Sequence, residues 1–277
     1  MSLHSVSVGD LELVPILDAV GLLAAYAEVF PEVPSDTWEP YRALYPELFS
    51  VDDWRLPCKC FVVRTGETTI LVDTGVGPPG LWEWTAEREG ELPEALSRLA
   101  VRPDDVDIVF LTHLHIDHVG WNTDLDGVAL FPRARYVVHG DSLAFARLQD
   151  GRAHVQRCIL TLEDRLETVT GAVELAPGVS AFEAAGHYPG HMALRLTSEG
   201  ENAVLIADTA VHPVLLDEPD WVYVFDGDPP ECARTRHALL PELVDRDVLV
   251  ACGHFPGNGI GRVVTYEGRI VWEEARG

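Results

Sequence analysis

The chain reads as an α/β protein of two packed β-sheets with helices on the outside. Strand patterns come in pairs, interrupted by helical segments, and the arrangement recurs in two halves. Several apolar runs end abruptly in histidine or aspartate, as strands of an α/β layer do where they border a ligand crevice. With 277 residues and 47% hydrophobic content, the chain is long enough to bury a large core. It could form one domain of αβ-sandwich size, expected over 1–277, or two small ones.

Segments 5–8 and 11–17 flank the turn pair Gly9-Asp10 and predict a hairpin. Residues 21–57 break the pattern, with Tyr26, Phe30, Trp38, Tyr41, Tyr45, Phe49 and Trp54 among five prolines. This segment reads as an irregular, aromatic-rich N-terminal arm with a short helix near 41–48. Aromatics usually cover something, so the arm is a locally packed excursion, a substrate-pocket wall or a clasp between two copies of the chain. Segments 58–64 and 68–72 form a second hairpin around Gly66-Glu67. Its second strand ends in Asp73-Thr74-Gly75-Val76-Gly77, and Asp73 is read as a partner that orients a neighbouring ligand. Leu92, Ala95, Leu96 and Leu99 lie on one face of a helix over 91–99. Residues 106–111 then form a buried strand.

Further on, a strand is expected at 135–139, with helices near 141–148 and 154–169. Strands follow at 179–183, 192–197 and 203–207. Asp228-Pro229-Pro230-Glu231 is a helix start, an Asp cap with proline in the first turn, and the helix runs to about residue 244. A buried strand at 248–252 leads into Gly253-His254-Phe255-Pro256. Strands at 262–266 and 269–272 turn at Glu267-Gly268 and close the chain.

The chemistry concentrates at Thr112-His113-Leu114-His115-Ile116-Asp117-His118, directly after the 106–111 strand. Imidazole nitrogen and carboxylate oxygen are the ligands zinc and similar divalent ions favour. Four such groups this close cannot all serve one tetrahedral ion, so the spacing suggests two adjacent metals and hydrolysis by an activated water. The remaining ligands must come from elsewhere. His187 and His191 sit in a Gly-rich turn between strands, Asp208 follows a strand, and His254 follows another.

Composition narrows the partners. The net charge is −25, from 45 acidic against 20 basic residues. That argues against nucleic acid and against anionic membranes, which need a cationic footprint. The five cysteines include no Cys-x-x-Cys pair, and Cys58 and Cys60 alternate with Lys59 so that both point to one face. They read as reduced, mostly buried thiols. No signal-peptide pattern precedes residue 15, and the longest near-apolar run, 19–27, is half a membrane span. A cytoplasmic location is the expectation.

Taken in order, Asp73-Thr-Gly, Thr-His113-x-His115-x-Asp117-His118, Gly-His187-x-x-Gly-His191, Asp208 and the late His254 resemble the metallo-β-lactamase-fold hydrolase superfamily over nearly the whole chain. The resemblance implies a four-layer αββα sandwich of two mixed β-sheets and a dinuclear centre, most often of zinc, with Mn, Co or Fe as alternatives. Carried over, His113, His115 and His187 would hold one metal. Asp117, His118 and His254 would hold the other, with Asp208 bridging and His191 supporting from behind. The pattern is most similar to the branch of methyl-parathion-hydrolase-like enzymes and N-acyl homoserine lactonases. It departs from those lactonases after Asp208, where Thr-Ala-Val-His212 stands in place of a nearby tyrosine.

The implied activity is hydrolysis of a small ester, lactone or phosphotriester. A metal-bridging hydroxide would attack, and Asp117 would carry its proton. Trp121, Tyr188, His212 and Phe255 are the expected pocket residues, for a moderately apolar small molecule. The alternatives are an iron-dependent oxidoreductase or dioxygenase on the same fold, and a non-catalytic metal-binding member.

Overall fold

The computed structural model describes residues 5–82 and 84–275. Its first sheet contains β1 (Val6–Val8), β2 (Leu11–Ala25), β3 (Phe49–Ser50), β4 (Asp53–Arg64), β5 (Thr69–Val72), β6 (Thr85–Arg88), β7 (Ile108–Phe110), β8 (Arg135–His139) and β9 (Leu166–Val169). The second contains β10 (Val173–Ala176), β11 (Val179–Glu183), β12 (Met192–Ser198), β13 (Glu201–Leu205), β14 (Val248–Ala251), β15 (Ile260–Tyr266) and β16 (Arg269–Glu274).

The main order of the first sheet is β1-β2-β4-β5-β7-β8-β9, with β3 on β4 and β6 on β2. Its β5, β7, β8 and β9 run parallel and the other pairs antiparallel. The second sheet follows chain order, antiparallel except for the parallel pair β13–β14. Both sheets are therefore mixed, as the resemblance implied.

Side-chain alternation sorts the core into three layers. Ile70, Val72, Ile108 and Phe110 meet Leu194, Leu205, Leu249 and Ala251 between the sheets. Leu71 and Val109 face outward, onto the helices Leu92–Arg98, Gly140–Arg147 and Ala153–Cys158. Val204 and Val250 face outward from the second sheet, toward Leu240 and Leu243 of the helix Pro229–Leu243. The result is helix, sheet, sheet, helix. Cys58 and Cys60 fall in different clusters, the first with the arm's aromatics and the second under the outer helices of the first sheet, and all five cysteines are free and buried. No helix among the described residues is long and apolar enough to cross a membrane.

Three expectations need correction. The first hairpin does not end at residue 17: β2 continues to Ala25, with register shifts after Leu17 and Leu22 that let it bend along β4. The expected helix at 154–169 stops at Cys158, passes through the 3-10 turn Leu160–Arg165 and ends as the edge strand β9. The 21–57 arm is strand at both ends. Between them lie the short helices Tyr26–Val29 and Glu39–Leu44 and two 3-10 turns. Its aromatics are not exposed. Tyr26, Phe30, Trp38, Tyr41, Tyr45 and Trp54 are buried in one cluster with Val211, Leu215 and Tyr223, so the arm is a locally packed excursion.

Candidate metal centre

The candidate ligands gather where strands of both sheets end. Asp73 follows β5, the His-rich turn follows β7, Asp208 follows β13 and His254 follows β14. His187 and His191 lie in the β11–β12 connection. The first three strand ends carry unusual backbone or dense bonding. Asp73 has φ +60° and Ala207, just before Asp208, has φ +44°. Such conformations persist only where surrounding bonds fix them.

Two half-sites result. In one, His115 Nδ1 lies 2.9 Å from His113 Nε2 and 3.1 Å from His187 Nε2. Asp208 Oδ2 lies 3.3 Å from His187 Nε2 and 3.8 Å from His113 Nε2. In the other, Asp208 Oδ1 lies 3.5 Å from His118 Nε2 and 3.4 Å from His254 Nε2. Asp117 Oδ2 lies 3.7 Å from the former and 3.5 Å from the latter.

A tetrahedral ion with bonds of about 2.0–2.1 Å spaces its ligand atoms roughly 3.3 Å apart, so both sets fit one divalent ion each. The donor set agrees, since His118 Nε2 and Asp208 Oδ1 are buried with no hydrogen-bond partner. Buried polar atoms are rarely left so without reason. These residues could hold two ions, with one oxygen of Asp208 toward each.

At His113, His118, His187 and His254 the other ring nitrogen is tied down, which fixes which nitrogen faces inward. His118 Nδ1 bonds Asp73 Oδ2 at 2.8 Å, and Asp73 also accepts the Thr112 amide and hydroxyl. His113 Nδ1 meets that Thr112 hydroxyl at 3.1 Å. His254 Nδ1 donates to the Pro57 carbonyl at 2.8 Å. His191 donates from Nδ1 to the Ala184 carbonyl and accepts the Asp208 amide on Nε2, so both of its ring nitrogens are engaged within the protein.

Two partners escaped the sequence reading. Asp226 bonds His187 Nδ1 at 2.9 Å and is itself held by Arg236 at 2.6 Å. Asp18 accepts the Val76 and Leu92 amides and Trp121 Nε1, and an added Cβ on Gly75 (φ +65°) would fall 2.1 Å from it. The Asp-Thr-Gly turn therefore needs its glycine.

Electrostatics divide the site. Burial drives the His113 and His115 imidazoles well below their usual range, reinforced by the neighbouring histidines. Burial opposes charge on His118 and His254 as well. There the Asp208 carboxylate, joined at His118 by Asp117 and Asp73, outweighs it and holds both well above the usual range. Burial likewise opposes ionisation of Asp208, but His118, His254 and His113 keep its carboxyl well below the usual range.

The expected pocket residues separate. Tyr188 lines a cleft of about 670 Å³ with His115, His187, Phe145, Arg152 and Phe225. Trp121 is half-buried against the outer helical layer and bonds Asp18. His212 and Phe255 are fully buried and face no cleft. His212 sits among Tyr26, Trp38, Tyr45 and Trp54, and burial pushes it down to about 3. Phe255 packs edge-on against Trp272. Both follow polar strand ends, but the arm's aromatics close over His212, and Trp272 of β16 packs on Phe255. Tyr223, which the sequence did not single out, stacks parallel to His187 at 6.3 Å.

Fold and site together define a class, and a family model agrees. The chain belongs to the metallo-beta-lactamase superfamily, a hydrolase family, whose model matches residues 53–254. It is similar to an N-acyl homoserine lactonase of Bacillus thuringiensis, 28% identical over 214 residues, spanning 72% of this chain and 81% of the relative. The AiiB lactonase of Agrobacterium fabrum is also 28% identical, over 57% of this chain and 64% of its own. Among solved structures, the dizinc quorum-quenching lactonase AidC superposes with a TM-score of 0.86 at 21% identity, covering 99% of this chain and 97% of that one. The hydrolase AbOPH gives 0.84 at 24% identity with the same coverage. At these identities the structural likeness shows the fold.

Proposed function

We propose that this chain hydrolyses small lactones of the N-acyl homoserine type through a pair of divalent ions, zinc in the first instance. The observation that carries the reading is the sharing of Asp208 between two half-sites whose ligand atoms are spaced for one ion each. The lactonase relatives supply the substrate class. When bound, two such ions provide Lewis acidity and a hydroxide nucleophile near neutral pH.

The protein's own groups do the rest. Asp117 is the more open of the two ligand carboxylates, with its side chain 12% exposed against 6% for Asp208. It is placed to take a proton from the nucleophile and return it to the leaving alcohol. Phe145, Tyr188 and Phe225 give the adjoining cleft an apolar wall suited to an acyl chain. Arg152 on the same wall supplies a cation that could meet the amide or product carboxylate. The buried Asp73, Asp226 and His191 hold the ligands in one orientation and exclude water behind them.

The test is a panel of N-acyl homoserine lactones, aryl esters and phosphotriesters, run on chelator-stripped and zinc-restored protein. Lactone opening that appears only on restoring about two ions per chain is expected. Equal rates in stripped and restored protein would end the metal reading. Activity confined to phosphotriesters would move the substrate class while leaving the centre in place.

A further inference from the structure

The segments 57–59 and 253–255 are fastened together more tightly than strand packing requires. The Pro57 carbonyl takes the His254 Nδ1 proton at 2.8 Å. Lys59 Nζ donates to the Phe255 carbonyl at 2.5 Å and approaches that of Gly253 at 3.5 Å. A Cβ on Gly253 would stand 2.8 Å from the Lys59 carbonyl oxygen, so the approach depends on glycine. Cys58, between the two anchor points, is thereby held beside His254.

Its sulfur is not an ordinary core thiol. Cys58 Sγ, a carboxylate oxygen of Asp117 and a ring nitrogen of His254 lie within 4.8 Å of one another. Asp117 and His254 are two of the four residues of the second half-site, and the inward atoms of the other two, His118 Nε2 and Asp208 Oδ1, have no partner. Other buried thiols are used differently. Cys158 faces the Gly120 carbonyl and Cys252 those of Ala207 and Ala210.

We propose that Cys58 is a further ligand of the second half-site, so that this position takes a thiophilic ion while the first is served by nitrogen and oxygen alone. The proposal rests on the reading that the half-site binds a divalent ion. On binding, the Cys58 S–H bond breaks, its proton leaves to solvent, and the sulfur donates the retained electron pair to the ion. Nothing is oxidised or reduced. Zinc, cobalt and cadmium are then favoured over manganese and magnesium at the second position, because thiolate is a soft donor.

The experiment is a cobalt(II) titration of metal-free protein, followed by near-ultraviolet and visible absorption. Sulfur-to-cobalt charge transfer is expected to grow with the ion that fills the second half-site, beside visible bands from both ions. Cys58→Ser and Cys58→Val should each abolish the near-ultraviolet band and weaken binding of that ion by about tenfold or more, while the first is unaffected. Cys60→Ser should keep the band. Two bound cobalt ions with no thiolate band in the unaltered protein, or a band that survives in both Cys58 variants, would overturn the role of Cys58 alone. Binding of fewer than two cobalt ions would overturn both this role and the dinuclear reading.

Discussion

The two half-sites share a residue but are built differently. The first sets three imidazoles around one oxygen of Asp208, and two of them, His113 and His115, are held neutral by burial. The second sets two imidazoles between two carboxylates, and Asp208, joined by Asp117 at His118, holds those histidines toward the charged form. In the first, only His187 is held above its usual range, by Asp208 and Asp226 against its burial, whereas in the second both imidazoles are. The same residue types, a few ångströms apart, acquire different character from the ratio of acid to imidazole around them.

Removing the shared residue breaks the comparison most severely. Asp208→Ala should cost both ions and lower kcat/KM by about 10⁴ or more, since one oxygen serves each half-site. Metal analysis that still found two ions per chain would refute the bridge. His118→Ala comes next. It should release one ion, keep the other and reduce activity by about 10²–10³, on the scale of a lost metal ligand. A fold check by circular dichroism should be unchanged.

Asp226→Asn probes the first half-site through its support. It should weaken one ion by about 10–100-fold and leave the other unchanged, read by chelator competition. The smallest effect concerns Lys59, which is buried without a carboxylate and is lowered to about 8 by that burial. An unfolded lysine titrates near about 10.4, so the native state is penalised below pH 8, and the penalty fades as pH rises from 8 toward 10. Lys59→Met should therefore gain on the order of 1 kcal/mol at pH 7. Denaturant unfolding at pH 7 and pH 9.5 should show that gain shrinking at the higher pH.

The candidate ligands were legible in the sequence because each follows an apolar strand, and His113, His115, Asp117 and His118 fall in one short turn. Their supports were less legible. Asp73 precedes a recognisable turn, but Asp226 reaches His187 across 39 residues from a loop and is held there by Arg236, two turns into the helix that follows it. No local pattern marks such a contact. The arm misled for a related reason. Prolines and 3-10 turns erase any period, so burial of Trp38 and Trp54 was invisible until His212 and Tyr223 arrived from far along the chain. That closure also withdrew His212 from the pocket, as packing against Trp272 did Phe255. The edge strand β9 was read as helix because a 3-10 turn leads straight into it.

The candidate ligands come from both sheets. His113, His115, Asp117 and His118 follow β7 of the first, while His187, Asp208 and His254 extend from the second. Bound ions would therefore act as rivets along one edge of the sandwich. Chelation should loosen that edge ahead of the opposite one, and the melting temperature should climb with free zinc as mass action dictates. In such an arrangement a hydrolytic centre would also be a clamp on that edge.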